Sequence, residues 1–142
     1  MGSATDSFTG DGFRLIEHIP FTTAKVIGSR ARIGLVVLAS DYTIEHEFRT
    51  LIAMPGVDVF MARIRNAPQI TPDTLAAMEP LLTETADRIL PGDDLDVLAF
   101  GCTSASTVLG GDRIAGLLGA AKPTARPSDP ISAAFAAFDA LG

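Results

Sequence analysis

From residue 33 onward the chain alternates continuous apolar runs with apolar stripes at helical spacing. Ile33-Gly34-Leu35-Val36-Val37-Leu38-Ala39 is an unbroken β-rich run, the pattern of a strand buried on both faces. Ile44, Phe48, Leu51 and Ile52 then share one helical face. Asp41 or Thr43 stands ready to cap that helix, and Met54-Pro55-Gly56 ends it. Val57–Ile64 predicts a second strand. After a loop over 66–71, Thr71-Pro72-Asp73 supplies a hydroxyl cap, a first-turn proline and an acid at the positive end of a helix dipole. The inward stripe of that helix is Leu75, Met78, Leu82, Ala86 and Ile89, and Pro80 inside it predicts a bend or a split. Residues 95–101 predict a third strand, and 112–121 a helix with Ile114, Leu117 and Leu118 inward. A short fourth strand follows over 123–126. Ser128 or Asp129 caps a last helix begun by Pro130, with Ile131, Ala134, Phe135, Phe138 and Leu141 as its buried face.

Strands alternating with helices imply right-handed βαβ units around a parallel sheet covered on both sides. The expected fold is α/β and flavodoxin-like: a three-layer α/β/α sandwich with strand order 2-1-3-4, occupying residues 32–142. Residues 1–31 read as a leader and an N-terminal arm. The leader, 1–12, is rich in Gly, Ser, Thr and Asp and is expected to be mobile. In the arm, Phe13, Leu15, Ile19 and Phe21 are apolar at irregular spacing around Pro20, as in a segment that covers the sheet or reaches a neighbouring subunit.

The 142 residues suffice for one compact domain, and a composition 47% hydrophobic and 20% charged is that of a globular chain rather than a disordered one. The net charge of −6 disfavours nucleic acid and anionic membrane surfaces as partners. One cysteine excludes an internal disulfide and a cysteine-based zinc cage, and His18 and His46 match no metal-ligand spacing. The polar, acidic start lacks the features of a secretory signal. Gly2 opens a myristoylation pattern that Asp6 breaks, and no run approaches the ~20 apolar residues of a membrane span. The expected location is cytoplasmic.

In an open α/β sheet of this order, ligands bind beyond the carboxyl ends of the strands where the order reverses, here between the first and third strands. Two polar turns lie there: Ser40-Asp41-Tyr42-Thr43 and Cys102-Thr103-Ser104. Each precedes a helical start, whose free amides hold carboxylates, while the hydroxyls of Thr43, Thr103 and Ser104 add donors. Amide dipoles at such a start favour a thiolate. A thiolate beside a carboxylate cradle suits two reactions: removal of a proton next to the carboxylate, or addition to an activated double bond. Plainer readings stand beside these. Cys102 is a half-buried structural cysteine, Asp41 and Thr43 are helix caps only, Ser104 and Ser106 shape a turn, and His46 is a solvated helix residue. Arg63, Arg65 and Asn66 follow the second strand, within reach of an anion or simply at the surface. No GxGxxG follows the first strand, so that kind of dinucleotide site is unsupported.

At these two turns the chain resembles the Asp/Glu racemase superfamily, in its maleate cis–trans isomerase and arylmalonate decarboxylase branch. Ala39-Ser40-Asp41-Tyr42-Thr43-Ile44-Glu45-His46-Glu47-Phe48-Arg49 and Gly101-Cys102-Thr103-Ser104-Ala105-Ser106 are similar to the ectoine-utilisation protein A group, as are Asn66-Ala67-Pro68-Gln69-Ile70-Thr71-Pro72 and Pro130-Ile131-Ser132-Ala133-Ala134-Phe135. The resemblance implies a cofactor-independent and metal-independent isomerase or racemase acting on a small carboxylate, in the setting of ectoine degradation. It places Cys102 as nucleophile or base, Thr103 and Ser104 as carboxylate binders, and Ser40, Asp41, Tyr42 and Thr43 in the substrate-binding turn. Asp41 stands where maleate isomerases carry an asparagine, which sets a negative charge where a neutral donor is expected unless the carboxyl is protonated or points away. The resemblance also implies two similar lobes with the site between them, and only the first lobe is matched. Three accounts follow. The chain is the first lobe of a longer enzyme, or it dimerises so that two copies mimic two lobes, or it is a non-catalytic module that binds a small carboxylate or a partner. A general flavodoxin-like domain holding phosphate or a flavin in the same turns is the remaining alternative.

Overall fold

The structure, a computed structural model, describes residues 6–8, 12–16, 19–24 and 26–142. A short antiparallel ladder, β1 (Asp6–Phe8) with β2 (Arg14–Ile16), stands apart from the main sheet. The irregular spacing before residue 31 gives no hint of these strands. Much of the leader expected to be mobile lies outside the described residues. In the arm, Ile19 and Phe21 face solvent, so these two side chains do not cover the sheet.

The main sheet contains β3 (Ala31–Leu38), β4 (Val57–Ile64), β5 (Val97–Phe100) and β6 (Arg126–Ser128). All are parallel, in the order β4-β3-β5-β6, which is 2-1-3-4 counted within the sheet. The fold is the expected α/β class with helices flanking the sheet. Strand β4 falls where its apolar run places it, β5 is shorter than 95–101, and β6 begins three residues later than the expected fourth strand.

Helix α1 (Ile44–Leu51) follows β3, and α2 (Pro72–Ala76) and α3 (Glu79–Asp87) follow β4. The one helix expected over this second stretch is indeed split. Thr71 and Thr74 form a reciprocal capping box at the start of α2, and Pro80 sits in the first turn of α3, where its missing N–H costs nothing. After β5 come α4 (Thr103–Leu109) and α5 (Gly111–Ala121), divided at Gly110, whose φ of 85° suits glycine. Helix α6 (Pro130–Leu141) follows β6 and is capped by Asp129, whose Oδ1 accepts from the amides of Ile131 and Ser132.

Strand alternation turns Val36 on β3, with Leu98 and Phe100 on β5, toward a core shared with Met78, Leu82, Ala86, Ile114 and Leu118. Gly34 belongs to the same face. A side chain there would meet Leu95 and Leu98 methyls at 2.6 and 2.8 Å, so glycine leaves room for these two leucines to pack against the strand. Two sequence expectations fail at the periphery. Leu51 is 80% exposed rather than inward. On α6, Ile131 and Ala134 are half-buried, but Phe135, Phe138 and Leu141 are 64%, 66% and 84% exposed. The apolar stripe exists, and nothing among the described residues covers its outer half. No helix among the described residues is long and apolar enough to cross a membrane.

Candidate functional site

Strands β3 and β5 are neighbours in the sheet, with Val36 opposite Phe100, so their carboxyl ends lie side by side. The chain leaves β3 through a tight turn in which the Asp41 amide donates to the Leu38 carbonyl at 3.0 Å. It leaves β5 through Gly101, whose amide donates to the Val36 carbonyl at 2.8 Å. At Gly101 a Cβ would lie 2.7 Å from Ile44 Cδ1 and 3.4 Å from the Val36 carbonyl oxygen, so the two turns approach closely here.

Cys102 comes next, at the N-cap position of α4 in an extended conformation. Its carbonyl accepts from the amide of Ser106 at 3.0 Å and from the Ser106 hydroxyl at 2.8 Å, which pins the turn from below. Cys102 is 7% exposed, and its accessible surface opens on a cavity of about 200 Å³. The polar lining of that cavity is Ser40, Asn66, Gln69, Thr74, Cys102 and Ser104. The apolar lining is Leu38, Ala67, Pro68, Ile70, Leu75 and Met78. Cys102 is the one titratable side chain among the described residues that line it.

Three of the residues singled out from sequence, Cys102, Ser40 and Ser104, therefore meet on one cavity. The other four do not line it. Tyr42 is 88% exposed, and Thr43 and Thr103 are exposed helix-start residues. The Asp41 carboxylate is turned onto its own turn. Its Oδ1 accepts from the amides of Ile44 at 2.9 Å and Thr43 at 2.8 Å, whereas Thr43 makes no side-chain cap bond. The Ile44 amide bond foremost, then the Thr43 bonds and Arg63, outweigh the opposing cost of desolvation and hold the Asp41 carboxyl below its ordinary range. Asp41 is thus ionised at neutral pH and acts as the cap of α1.

A carboxyl whose folded-state pKa is depressed contributes stability that is present above its unfolded value and lost as pH falls through the folded one. Asp41→Ala is accordingly expected to cost about 1 kcal/mol near neutrality and less once both states are protonated, well below pH ~4. Denaturant titrations of both proteins at neutral and strongly acidic pH check this.

Two positions matter more than the sequence suggests. Arg63, at the end of β4, donates from Nη1 to the carbonyls of Leu38, Ala39 and Asp41, the last at 2.6 Å, and pairs through Nη2 with Glu45. It clamps the β3 turn and is not among the residues that line the cavity. Asn66 donates from Nδ2 to the Ser40 hydroxyl at 2.9 Å and accepts from the Ser40 amide at 3.3 Å, so it fixes the serine that shares the cavity with Cys102. Sequence reasoning misses Gln69 and Thr74 altogether. The 66–78 segment becomes a wall because β4 is the neighbour of β3 and its exit loop folds back over the strand ends. His46 lies exposed on α1 and Arg65 is exposed, both outside the cavity lining.

A larger groove of about 1170 Å³ opens at the amino ends of the strands, lined in part by Arg30, Arg32, Arg126, Asp94 and Asp96. Both acids there are engaged, Asp96 by the Arg32 amide and Asp94 by the Thr124 hydroxyl, and the groove is remote from the strand ends where this fold gathers its reactive groups.

A thiol, two serines and two amide side chains thus line one small cavity at the switch point of a parallel sheet, the place where open α/β folds gather their ligands. No protein-family model matches the chain, and no curated protein does. Solved structures do. A cysteine-to-serine mutant of the maleate cis-trans isomerase of Nocardia farcinica, holding a covalently bound succinylcysteine intermediate, matches with a TM-score of 0.59 and 27% identity over 70% of this chain and 44% of its own. A cysteine-to-alanine variant of the maleate isomerase Iso of Pseudomonas putida, with maleate, matches with a TM-score of 0.66 and 22% identity over 79% of this chain and 49% of its own. The structural neighbours are thus maleate cis-trans isomerases, and the chain spans about half their length.

Proposed function

We propose that the chain carries the cysteine half of a cofactor-independent isomerase or racemase acting on a small carboxylate. The observation that carries this reading is the meeting of Cys102, Ser40 and Ser104 on one small cavity at the carboxyl ends of β3 and β5. Ser40, oriented by Asn66, and Ser104 hold the carboxylate. Cys102 as thiolate either takes the proton from the adjacent carbon or adds to an adjacent double bond. In the second case a C–S bond forms and a proton is delivered to the far carbon. Rotation about the new single bond, loss of that proton and expulsion of the thiolate then return the isomerised alkene. Tyr42, Thr43 and Thr103 stand outside the lining and enter this reading only through a shift of the turns.

Either route needs a second proton donor or acceptor, and the described lining offers only Cys102. A second lobe or a second copy of the chain would supply it. The chain's coverage of its neighbours supports both options. Ectoine breakdown, the setting implied by the resemblance of the 39–49 and 101–106 segments to the ectoine-utilisation protein A group, is the metabolic setting proposed with it. The same missing group supports one other reading, a non-catalytic module that binds a small carboxylate.

The test uses the single thiol. Limiting iodoacetamide at neutral pH is expected to add one carbamidomethyl group at Cys102, and small carboxylates are expected to slow it. A thiol of ordinary rate, indifferent to every carboxylate tried, overturns the proposal. Carboxylate binding undiminished in Cys102→Ser, with no turnover in the parent protein, favours the binding module.

A further inference from the structure

The geometry points to a ligand with one carboxylate and one apolar substituent as what this cavity selects, in preference to a dicarboxylate. The inference rests on the reading of the cavity as a small-carboxylate site, and it concerns the apolar part of the lining. That wall is Pro68, Ile70, Leu75 and Met78, contributed by the loop after β4 and the start of the helical stretch beyond it. Among the described residues lining the cavity there is no lysine or arginine. A single carboxylate is well served by the neutral donors, Ser40 and Ser104. A second one, set against the apolar wall, would lose its hydration without gaining a charged partner. An alkyl group in the same place would bury apolar surface instead.

The charges of the adjacent β3 turn add no free cation. The guanidinium next to the β3 turn, that of Arg63, is committed to three backbone carbonyls and to Glu45. The Asp41 carboxylate lies in that turn and is ionised through its amide bonds. Engaged in this way and outside the cavity lining, the Arg63 guanidinium offers a second carboxylate no partner. Ile70 is a largely exposed member of the wall, at 76%, so it can be changed without disturbing the core.

The experiment compares maleate with cis-2-pentenoate, in which an ethyl group replaces one carboxylate, by calorimetric titration of the full chain and of Ile70→Lys. Pentenoate is expected to bind about tenfold more tightly than maleate, the scale set by burying one or two methylenes and by sparing a carboxylate its desolvation. Ile70→Lys, which places a cation at the wall, is expected to reduce or reverse that ratio. Maleate binding equally or more tightly overturns the inference and leaves the small-carboxylate reading in place. An unchanged ratio in Ile70→Lys also overturns it, because the substituent then lies elsewhere. If neither compound binds, this inference and the small-carboxylate reading fall together.

Discussion

Phe100→Ala is expected to cost about 3–5 kcal/mol and to lower the melting temperature by on the order of 10 °C. Phe100 ends β5, is 1% exposed and packs in the cluster with Val36, Ile64, Leu98 and Ile114. Two terms add in that figure. The ring's transfer free energy is lost, and the sheet on one side and the helices on the other can close the void only in part. The loss also reaches the cavity, because Gly101 and Cys102 follow Phe100 directly. Phe138→Ala is the matched comparison. The same deletion on the exposed stripe of α6 should change stability by less than about 0.5 kcal/mol. Denaturant titrations of both variants decide the point. Equal costs would mean that α6 is covered in solution, and the concentration dependence of the Phe138→Ala transition would show whether a second copy covers it.

How far the chain reveals its own fold depends on where each signal originates. Strand β4 is legible because Val57–Ile64 is an apolar run bounded by turn residues on both sides. The order of the sheet follows from alternating strands and helices, since the handedness of βαβ units leaves few arrangements. The split between α2 and α3 is visible in Pro80, a property of one residue. A helical start after Cys102-Thr103-Ser104 is legible, but the reach of α4 from Thr103 is not, because Thr103-Ser104-Ala105-Ser106-Thr107 has no apolar stripe; Ala105 and Ser106 bury there. Leu51, Phe135, Phe138 and Leu141 read as inward because periodicity marks an apolar face and is silent on what covers it. The site divides in the same way. The nearness of Cys102, Ser40 and Ser104 is legible from topology alone. The parts played by Asn66 and Gln69 are not, because a loop's path across neighbouring strand ends depends on tertiary packing rather than on its own residues.

Gly101→Val is expected to destabilise the fold by about 1–3 kcal/mol and to abolish carboxylate protection of Cys102 from alkylation. The cause is steric. A Cβ at this position lies 2.7 Å from Ile44 Cδ1, 3.4 Å from the Val36 carbonyl oxygen and 3.5 Å from Leu35 Cδ1. The Ile44 methyl is the far end of a flexible side chain, so Gly101→Ala should be accommodated by a shift of α1 side chains. The branched valine adds two further methyls against a strand that cannot yield, because Val36 is paired on both sides within the sheet. The turn carrying Cys102 must then move away from the turn carrying Ser40, and the cavity between them opens. Gly116→Ala supplies the opposite sign. Gly116 lies within α5, and a methyl placed on its Cα would meet no atom within 4 Å. Alanine there should stabilise by about 0.5–1 kcal/mol through helix propensity and leave alkylation of Cys102 unchanged. Melting curves and the rate of Cys102 labelling with and without a small carboxylate separate the two effects. If Gly101→Val labels and is protected like the parent protein, the close approach of the two turns is not what builds the site, and Cys102 meets its ligand without Ser40.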